Sequence, residues 1–344
     1  MRRLTLYVPG LEGPAVELTD ADMPDAPALR QILFRARRRR LSRQDYYRQL
    51  AGLLGLETAA DKDVPVAAVT RLIDGEDHPG GLWMRADPAH LSADRDRLLL
   101  IDASVLTLSQ HDALAVATEA QQVLDMEGWR MEVPFPNRWY IQLQEDPEVS
   151  TSDPYHAGGR DVDSHLPAGP GGRRLHRLLN EIQMQLFDAD INREREARGD
   201  LTVNSLWFWG VGKLPDVLPR HWSEVYSDDP FAHGLAMLSM TPCRPLPGSA
   251  TDLLDAAAQE ADILVTLEAC RVAAQYADLQ RWHQAVADLE QYWFAPLLDA
   301  LHGDAVQEIS VVTSGLVFRL RRVDLKKFWR RPRPLRQLLE AGAA

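Results

Sequence analysis

Short apolar runs of strand character alternate with helix-period segments along this chain. The run Val203-Asn-Ser-Leu-Trp-Phe-Trp-Gly-Val-Gly212 is the most informative of them, since it predicts a buried strand ending in a glycine-rich turn. Gly210 and Gly212 permit tight turning there, and the close approach of a ligand or another backbone. A charged helix over Asp190–Arg198 precedes it. At the N-terminus, residues 4–8 predict a strand stopped by Pro9-Gly10. Residues 27–54 predict a helix in two pieces, the second opened by Ser42 with Asp45 three residues on. Residues 74–81 form a turn-rich boundary. Strands are expected next over residues 82–85 and 97–101, then a helix from about His111 to Glu127, capped by Ser109 and stopped by Gly128. Residues 129–133 and 138–143 predict an antiparallel pair. The stretch 146–172 is rich in Gly, Pro and Asp, and loops of that length are commonly functional or disordered. After it, Leu175, Leu178, Leu179, Ile182 and Leu186 line one helix face. A strand at Leu206, a helix near 252–260, a strand at 263–267 and a long helix over 279–301 interrupted near its end by Pro296 follow. A hairpin of 309–313 with 316–320 closes the series.

Strands separated by helices at both ends of the chain predict an α/β fold, with the antiparallel middle as a smaller inserted α+β lobe. The boundaries fall at residues 1–81 and 166–344 for the discontinuous core, and 82–165 for the lobe. A chain of 344 residues is long enough for two such lobes. Apolar residues make up 45% and charged ones 26%, an ordinary globular balance. No apolar stretch approaches a membrane span, and the first residues are strand-like rather than signal-like. Cys243 and Cys270 lack metal spacing, so the expectation is a cytoplasmic protein with both thiols reduced. The net charge of -12 argues against nucleic acid as a partner, but the charge is uneven. Residues 30–43 hold seven arginines, and residues 319–336 hold nine Lys or Arg against Asp324 alone. Phe328 and Trp329 set an aromatic anchor in that second run, making the basic C-terminal arm the expected dock for a protein partner.

Metal and nucleophile signatures are missing: there is no His-Glu-x-x-His, Gly-x-Ser-x-Gly elbow, P-loop or dinucleotide fingerprint. Asp153, His156, Asp161, Asp163 and His165 share one loop, where they suit either a divalent ion or a hydrated surface. The arginines Arg85, Arg138, Arg193 and Arg195 are better candidates, because forked donors hold phosphate or carboxylate bidentately. Ordinary salt bridges explain each of them singly.

Three motifs stand out together: Arg85-Ala-Asp-Pro-Ala-His-Leu91, Asn137-Arg-Trp-Tyr-Ile-Gln142 and, most specific, the block from Leu179-Asn180 through Ala189-Asp-Ile-Asn-Arg-Glu-Arg195 and Gly199 to Val203-Asn-Ser-Leu-Trp-Phe-Trp-Gly210 and Gly212. In them the chain resembles the archaeal-type, cofactor-independent phosphoglycerate mutases of the alkaline phosphatase superfamily, and more closely the bacterial RpfE-type regulatory proteins. The first stands where the mutases have Arg-x-Asn-Phe-Ala-Thr-Val, and the second where they have Tyr-Arg-His-Leu-Leu-Val. The resemblance implies a three-layer α/β/α, alkaline-phosphatase-like core with an inserted smaller α+β domain.

It does not carry the chemistry with it. Such mutases hold two metal ions and transfer phosphate through a serine. Here Pro9-Gly10-Leu11-Glu12 replaces the Asp-Gly-x-x-Asp motif, Arg271 and Gln275 replace an Asp-x-x-x-His pair, and Thr313-Ser314-Gly315 replaces an Asp-His pair. Ser42 is the one obvious serine near the N-terminal helices. The leading expectation is a non-catalytic regulatory or binding protein with a degenerate metal site and no cofactor. In it Arg271 fills the vacated space and pairs with Glu268 or Glu12. Arg85, Arg138, His165, Asn180, Asn192, Arg195 and Asn204 are expected to bind an anionic small molecule in the cleft between lobes. The alternative is a phosphomutase or phosphoesterase with a rearranged site for manganese or zinc.

Overall fold

The computed structural model describes residues 2–14, 16–41, 45–75, 77, 80–326 and 333–340. The chain opens with β1 (Arg3–Tyr7), α1 (Pro27–Arg35), β2 (Arg37–Arg40), α2 (Tyr46–Leu53) and α3 (Val66–Asp74). There follow β3 (Leu82–Asp94), β4 (Arg97–Ile101), α4 (Gln110–Leu124), β5 (Arg130–Phe135) and β6 (Arg138–Leu143). Next come α5 (Pro154–Ala157), α6 (Gly172–Phe187), α7 (Asp190–Arg198) and β7 (Ser205–Lys213). After these are β8 (Glu224–Tyr226), α8 (Pro230–Leu238), β9 (Cys243–Arg244), α9 (Ala250–Ala256), β10 (Asp262–Thr266) and α10 (Arg271–Gln275). The last elements are α11 (Leu279–Leu289), α12 (Ala295–His302), β11 (Glu308–Val312), β12 (Leu316–Arg321), α13 (Arg322–Leu325) and α14 (Leu335–Leu339). Among the described residues no helix is long and apolar enough to cross a membrane.

One compact unit is made of Met1–Leu56 and Leu218–Ala344, the other of Glu57–Val217. The first holds a seven-stranded sheet in the order β2-β12-β11-β1-β10-β8-β9. β1 lies between β10 and β11 and is parallel to both, β8 and β9 continue the parallel run, and β12 and β2 close the other edge antiparallel to their neighbours. Strand alternation sorts the faces. Leu4 and Leu6 of β1, with Ile263 and Val265 of β10, join the large core formed with α1, α9, α11, α12 and α14. Tyr7 points the other way and stacks on Tyr46 of α2. Helices therefore cover both faces of this sheet. The long helix expected over 279–301 exists but bulges, with a π-helical segment at Glu290–Phe294 just before Pro296. A widened turn there lets the helix pass a residue that lacks an N–H. From that bulge the Glu290 carboxylate accepts from the N–H groups of Ala28 (2.6 Å) and Leu29 (2.9 Å), so it caps α1, whose own cap position is Ala26.

The second unit is an antiparallel sheet in the order β4-β3-β6-β5, with β7 added to the free side of β3. Leu82, Met84 and Ala86 of β3, Trp139 and Ile141 of β6, and Leu206 and Phe208 of β7 form one core with α4 and α6. The alternate residues Trp83 and Tyr140 pack with Ala67 and Ala68 of α3 on the opposite face. β3 runs far beyond the four residues expected of it and passes through Pro88. Leu91 turns its N–H and C=O to the Asn204 side chain just before β7 (2.7 and 3.0 Å), so by alternation Pro88 faces the other side. There β6 ends at Arg85 and β4 begins at His90, and the missing N–H breaks no ladder bond.

These contacts move the boundaries from residues 81/82 and 165/166 to Leu56/Glu57 and Val217/Leu218. The run around Trp207, read as a core strand, is hydrogen-bonded along β3, and α3 packs on that same pair. Both faces of β7 are thereby covered, which explains its unbroken apolar sequence. Residues 37–40, expected to be helical, form the edge strand β2. Ser42, Phe328 and Trp329 lie outside the described residues.

The two glycines of β7 serve a backbone, since α3 begins against them. A Cβ on Gly212 would meet Pro65 Cβ at 2.4 Å and Pro65 Cα at 2.9 Å. Gly212→Ala is expected to destabilise the second unit by about 1–3 kcal/mol through overpacking. Denaturant unfolding followed by tryptophan fluorescence checks this, and an unchanged midpoint would mean that α3 yields freely.

Candidate functional site

In the first unit, polar side chains collect where the parallel strands end at their carboxyl termini. The loop after β1 passes through Gly10, whose φ of 79° and closeness to the Cys270 carbonyl (a Cβ would lie 2.8 Å from it) suit glycine alone. That contact sets the loop against the turn carrying Glu268 and Arg271. The Arg271 Nε stands 3.1 Å from Glu268 Oε2, and its guanidinium lies 5.2 Å from the centre of the Tyr46 ring. Tyr46 donates its hydroxyl to Asp229 Oδ2 (2.8 Å) and stacks on Tyr7, whose hydroxyl donates to the Tyr46 carbonyl (3.2 Å). The other oxygen of Asp229 caps α8 by accepting from Phe231 N (2.7 Å) and Ala232 N (3.2 Å). Ser227 and Thr266 hydroxyls meet at 2.6 Å, and Ser227 also accepts from Asp229 N.

The electrostatics follow from burial. Desolvation, helped by Asp229, pushes the Glu268 carboxyl up to about 7 against the pull of Arg271 and Tyr46. Burial also holds the Tyr46 phenol well above its ordinary value, reinforced by Asp229 and Glu268. Burial opposes the charge on Arg271, but Glu268 and the neighbouring Tyr46, Tyr47 and Asp229 outweigh it and raise its pKa. The site is a permanent cation lying over the Tyr46 ring, one carboxyl poised near neutrality, and a second carboxylate tied to a helix end. Among the described residues, no group of three or more His, Cys, Asp or Glu is placed to hold a metal ion.

A second polar cluster lies within the other unit, on the α3 face of its sheet. Arg85 donates through Nε and Nη2 to Asp87 Oδ1 (2.9 and 2.7 Å), and Trp209 donates to Asp87 Oδ2 (2.8 Å). Arg138 grips both oxygens of Asp74 (2.6 and 3.0 Å), which also accepts from the Tyr140 hydroxyl (2.5 Å). The Arg85 guanidinium sits over the Tyr140 and Trp209 rings at 5.0 and 5.2 Å. A buried arginine and a partly exposed one thus each meet an aspartate whose side chain is buried.

Of the seven residues expected at the anion site, this cluster brings Arg85 and Arg138 together. Arg195 is buried and donates to Leu201 O, Asp112 Oδ2 and Thr107 O. Asn192 clasps Val203 through both amide atoms and donates to Leu186 O, and Asn204 clasps Leu91. These three tie α7 and the segment entering β7 to their surroundings. His165 is half-buried and edge-on to His156 at 5.1 Å, and Asn180 is exposed on α6. All seven belong to the second unit. The pairing of Arg271 with Glu268 matches the expectation for that residue. Tyr46, Asp229, Asp74 and Asp87 were missed. The Asp228-Asp229-Pro230 signal of a helix cap stood in the sequence, whereas nothing local announced Tyr46.

No family model matches the chain. Over 141 residues it is 37% identical to a probable 2,3-bisphosphoglycerate-independent phosphoglycerate mutase of Geobacter sulfurreducens, covering 40% of this chain and 35% of that protein. A 2,3-bisphosphoglycerate-independent phosphoglycerate mutase of Thermoplasma volcanium is 24% identical over 163 residues, 42% of this chain and 40% of that one. The chain therefore spans well under half the length of these curated relatives. The solved PH0037 protein of Pyrococcus horikoshii shares the fold, with a TM-score of 0.50 over 92% of this chain and 87% of its own, at 13% identity.

Two outcomes are expected. The raised Glu268 pKa means that proton binding favours the fold fully below the ordinary glutamate range, and that this contribution is lost as pH rises through about 7. Glu268→Gln should therefore gain in melting temperature relative to wild type between about pH 5 and about pH 8. A pH-independent difference would show that Glu268 stays ionised throughout. In the second unit, Asp74→Asn leaves the partly exposed Arg138 beside a neutral amide and should cost about 1–3 kcal/mol in denaturant unfolding, and an unchanged midpoint would deny the pair its role.

Proposed function

We propose that this chain, a cofactor-independent phosphoglycerate-mutase-like protein of mixed α/β, alkaline-phosphatase-like fold, is a non-catalytic member that regulates by binding. The observation that carries the reading is Arg271, set at the carboxyl ends of the parallel strands and paired there with Glu268. The resembled mutases work with two metal ions, and the residues present do not fit such a pair. A dication placed here would meet a guanidinium that stays protonated. Among the described residues, Glu268 is engaged with Arg271, and Asp229 with Tyr46 and the start of α8. Pro9 offers no side-chain ligand.

Binding of a small anion is the less favoured mode for this role. Arg85 and Arg138 already hold Asp87 and Asp74, so a phosphorylated or carboxylated metabolite would have to displace a buried carboxylate. A protein partner requires no such exchange. The competing reading, a phosphomutase with a rearranged manganese or zinc site, draws on the names of the two relatives.

The deciding experiment joins elemental analysis of protein purified without chelator to an assay of 2- and 3-phosphoglycerate interconversion with added manganese or zinc. The expected result is no stoichiometric metal and no turnover above the blank. Bound metal accompanied by turnover that Arg271→Ala alters would overturn the proposal in favour of the competing reading.

A further inference from the structure

The arginine run at residues 37–40 takes part in neither polar cluster. It forms β2, four consecutive arginines that are all exposed, at the edge of the seven-stranded sheet. Its register on β12 sets Arg37 opposite Arg319, Arg38 opposite Phe318, Arg39 opposite Val317 and Arg40 opposite Leu316. Alternation therefore places Arg37 and Arg39 on the same sheet face as Arg319 and Arg321. The side chains of Arg37, Arg319 and Arg321 are 68%, 54% and 50% exposed, so this end of the face is solvated. Glu308 partly offsets the charge by meeting Arg319 (2.9 Å) and Arg321 (2.6 Å), and Asp324 stands 4.0 Å from Arg37. On the opposite face Arg38 lies over the Phe318 ring and donates to the Glu340 carbonyl.

Like charges directly opposite each other weaken a strand pair, and the Arg37–Arg319 position is of that kind. One charge on an edge strand is enough to discourage accidental pairing. Four in a row do something else: they reject neutral and basic strands and favour an acidic one. Among the described residues β12 is the only strand neighbour of β2, which leaves its outer ladder edge for a newcomer. An extended peptide repeats every second side chain at about 6.8 Å, the same spacing that separates Arg37 from Arg39 and Arg38 from Arg40. Single-stranded nucleic acid fits less well, because it binds by stacking on exposed aromatics, and among the described residues the ring that Arg38 lies over, Phe318, is buried in the core.

We propose that β2 is a docking edge for an acidic extended segment of a partner protein, added as a further strand that sets its alternating carboxylates on the face of Arg37 and Arg39. The test is fluorescence anisotropy of the full chain with a labelled peptide alternating glutamate and threonine. Saturable binding is expected, weakened roughly tenfold or more by the paired change Arg37→Glu with Arg39→Glu, and falling with added salt. Arg37→Gln with Arg39→Gln, which removes charge without reversing it, should give an intermediate loss at an unchanged melting temperature. Methylating alternate backbone amides of the peptide should abolish binding. Equal affinity for the methylated peptide, no binding at all, or tighter binding of a single-stranded oligonucleotide of equal charge would each overturn the proposal.

Discussion

A largely buried guanidinium cannot shed its charge, and this constraint organises the carboxyl end of the first unit's sheet. Arg271 requires a carboxylate within reach and a polarizable surface beneath it; Glu268 and the Tyr46 ring supply them. Tyr46 must then be fixed, so its hydroxyl goes to Asp229 and its ring to Tyr7. Asp229 in turn is held by the helix it caps. A chain of dependence runs from one side chain on α10 through α2 to α8 and back to β1. Its members come from distant parts of the sequence, and each leaves its neighbour exposed to a desolvation penalty if removed.

The second unit solves the same problem by different means. Its arginines stand on strands, and the aspartates that neutralise them come from the strand itself (Asp87) and from the end of α3 (Asp74). Tyr140 and Trp209 provide the aromatic faces. The arginines of the second unit that sequence alone marks as ligand-seeking, Arg85 and Arg138, have their counter-ions supplied internally, as Arg271 has in the first. That is why the functional reading turns from an anion held in a pocket toward partners met at the surface.

Much of the fold was legible from periodicity. The β5–β6 pair, the apolar face of α6, the Ser109 cap of α4 and the hairpin of β11 with β12 all appear where the pattern placed them. What escaped was decided by tertiary pairing. Four arginines carry no strand signal, and β2 exists because β12 offers a ladder. The unit boundary was misplaced because Trp207 and its neighbours look equally apolar in any buried sheet, and only their register on β3 says which one. At the candidate site, the Arg271–Glu268 pair could be anticipated from neighbouring positions in the sequence. The Asp74–Arg138 and Asp229–Tyr46 pairs could not, since 64 and 183 residues separate their members.

The position of β1 has a kinetic side as well. It leaves the ribosome well before the strands that flank it on either side, β10 and β11, which lie about 260 and 305 residues further along, and the carboxylate that caps α1 belongs to Glu290. The segment 57–217 is continuous and can complete its own ladders as soon as it emerges. The N-terminal segment has to wait, both edges of its apolar strand unpaired, for about ten to fifty seconds at ordinary synthesis rates. During that interval it is a template open to any passing strand, an exposure set by the order of its sheet alone.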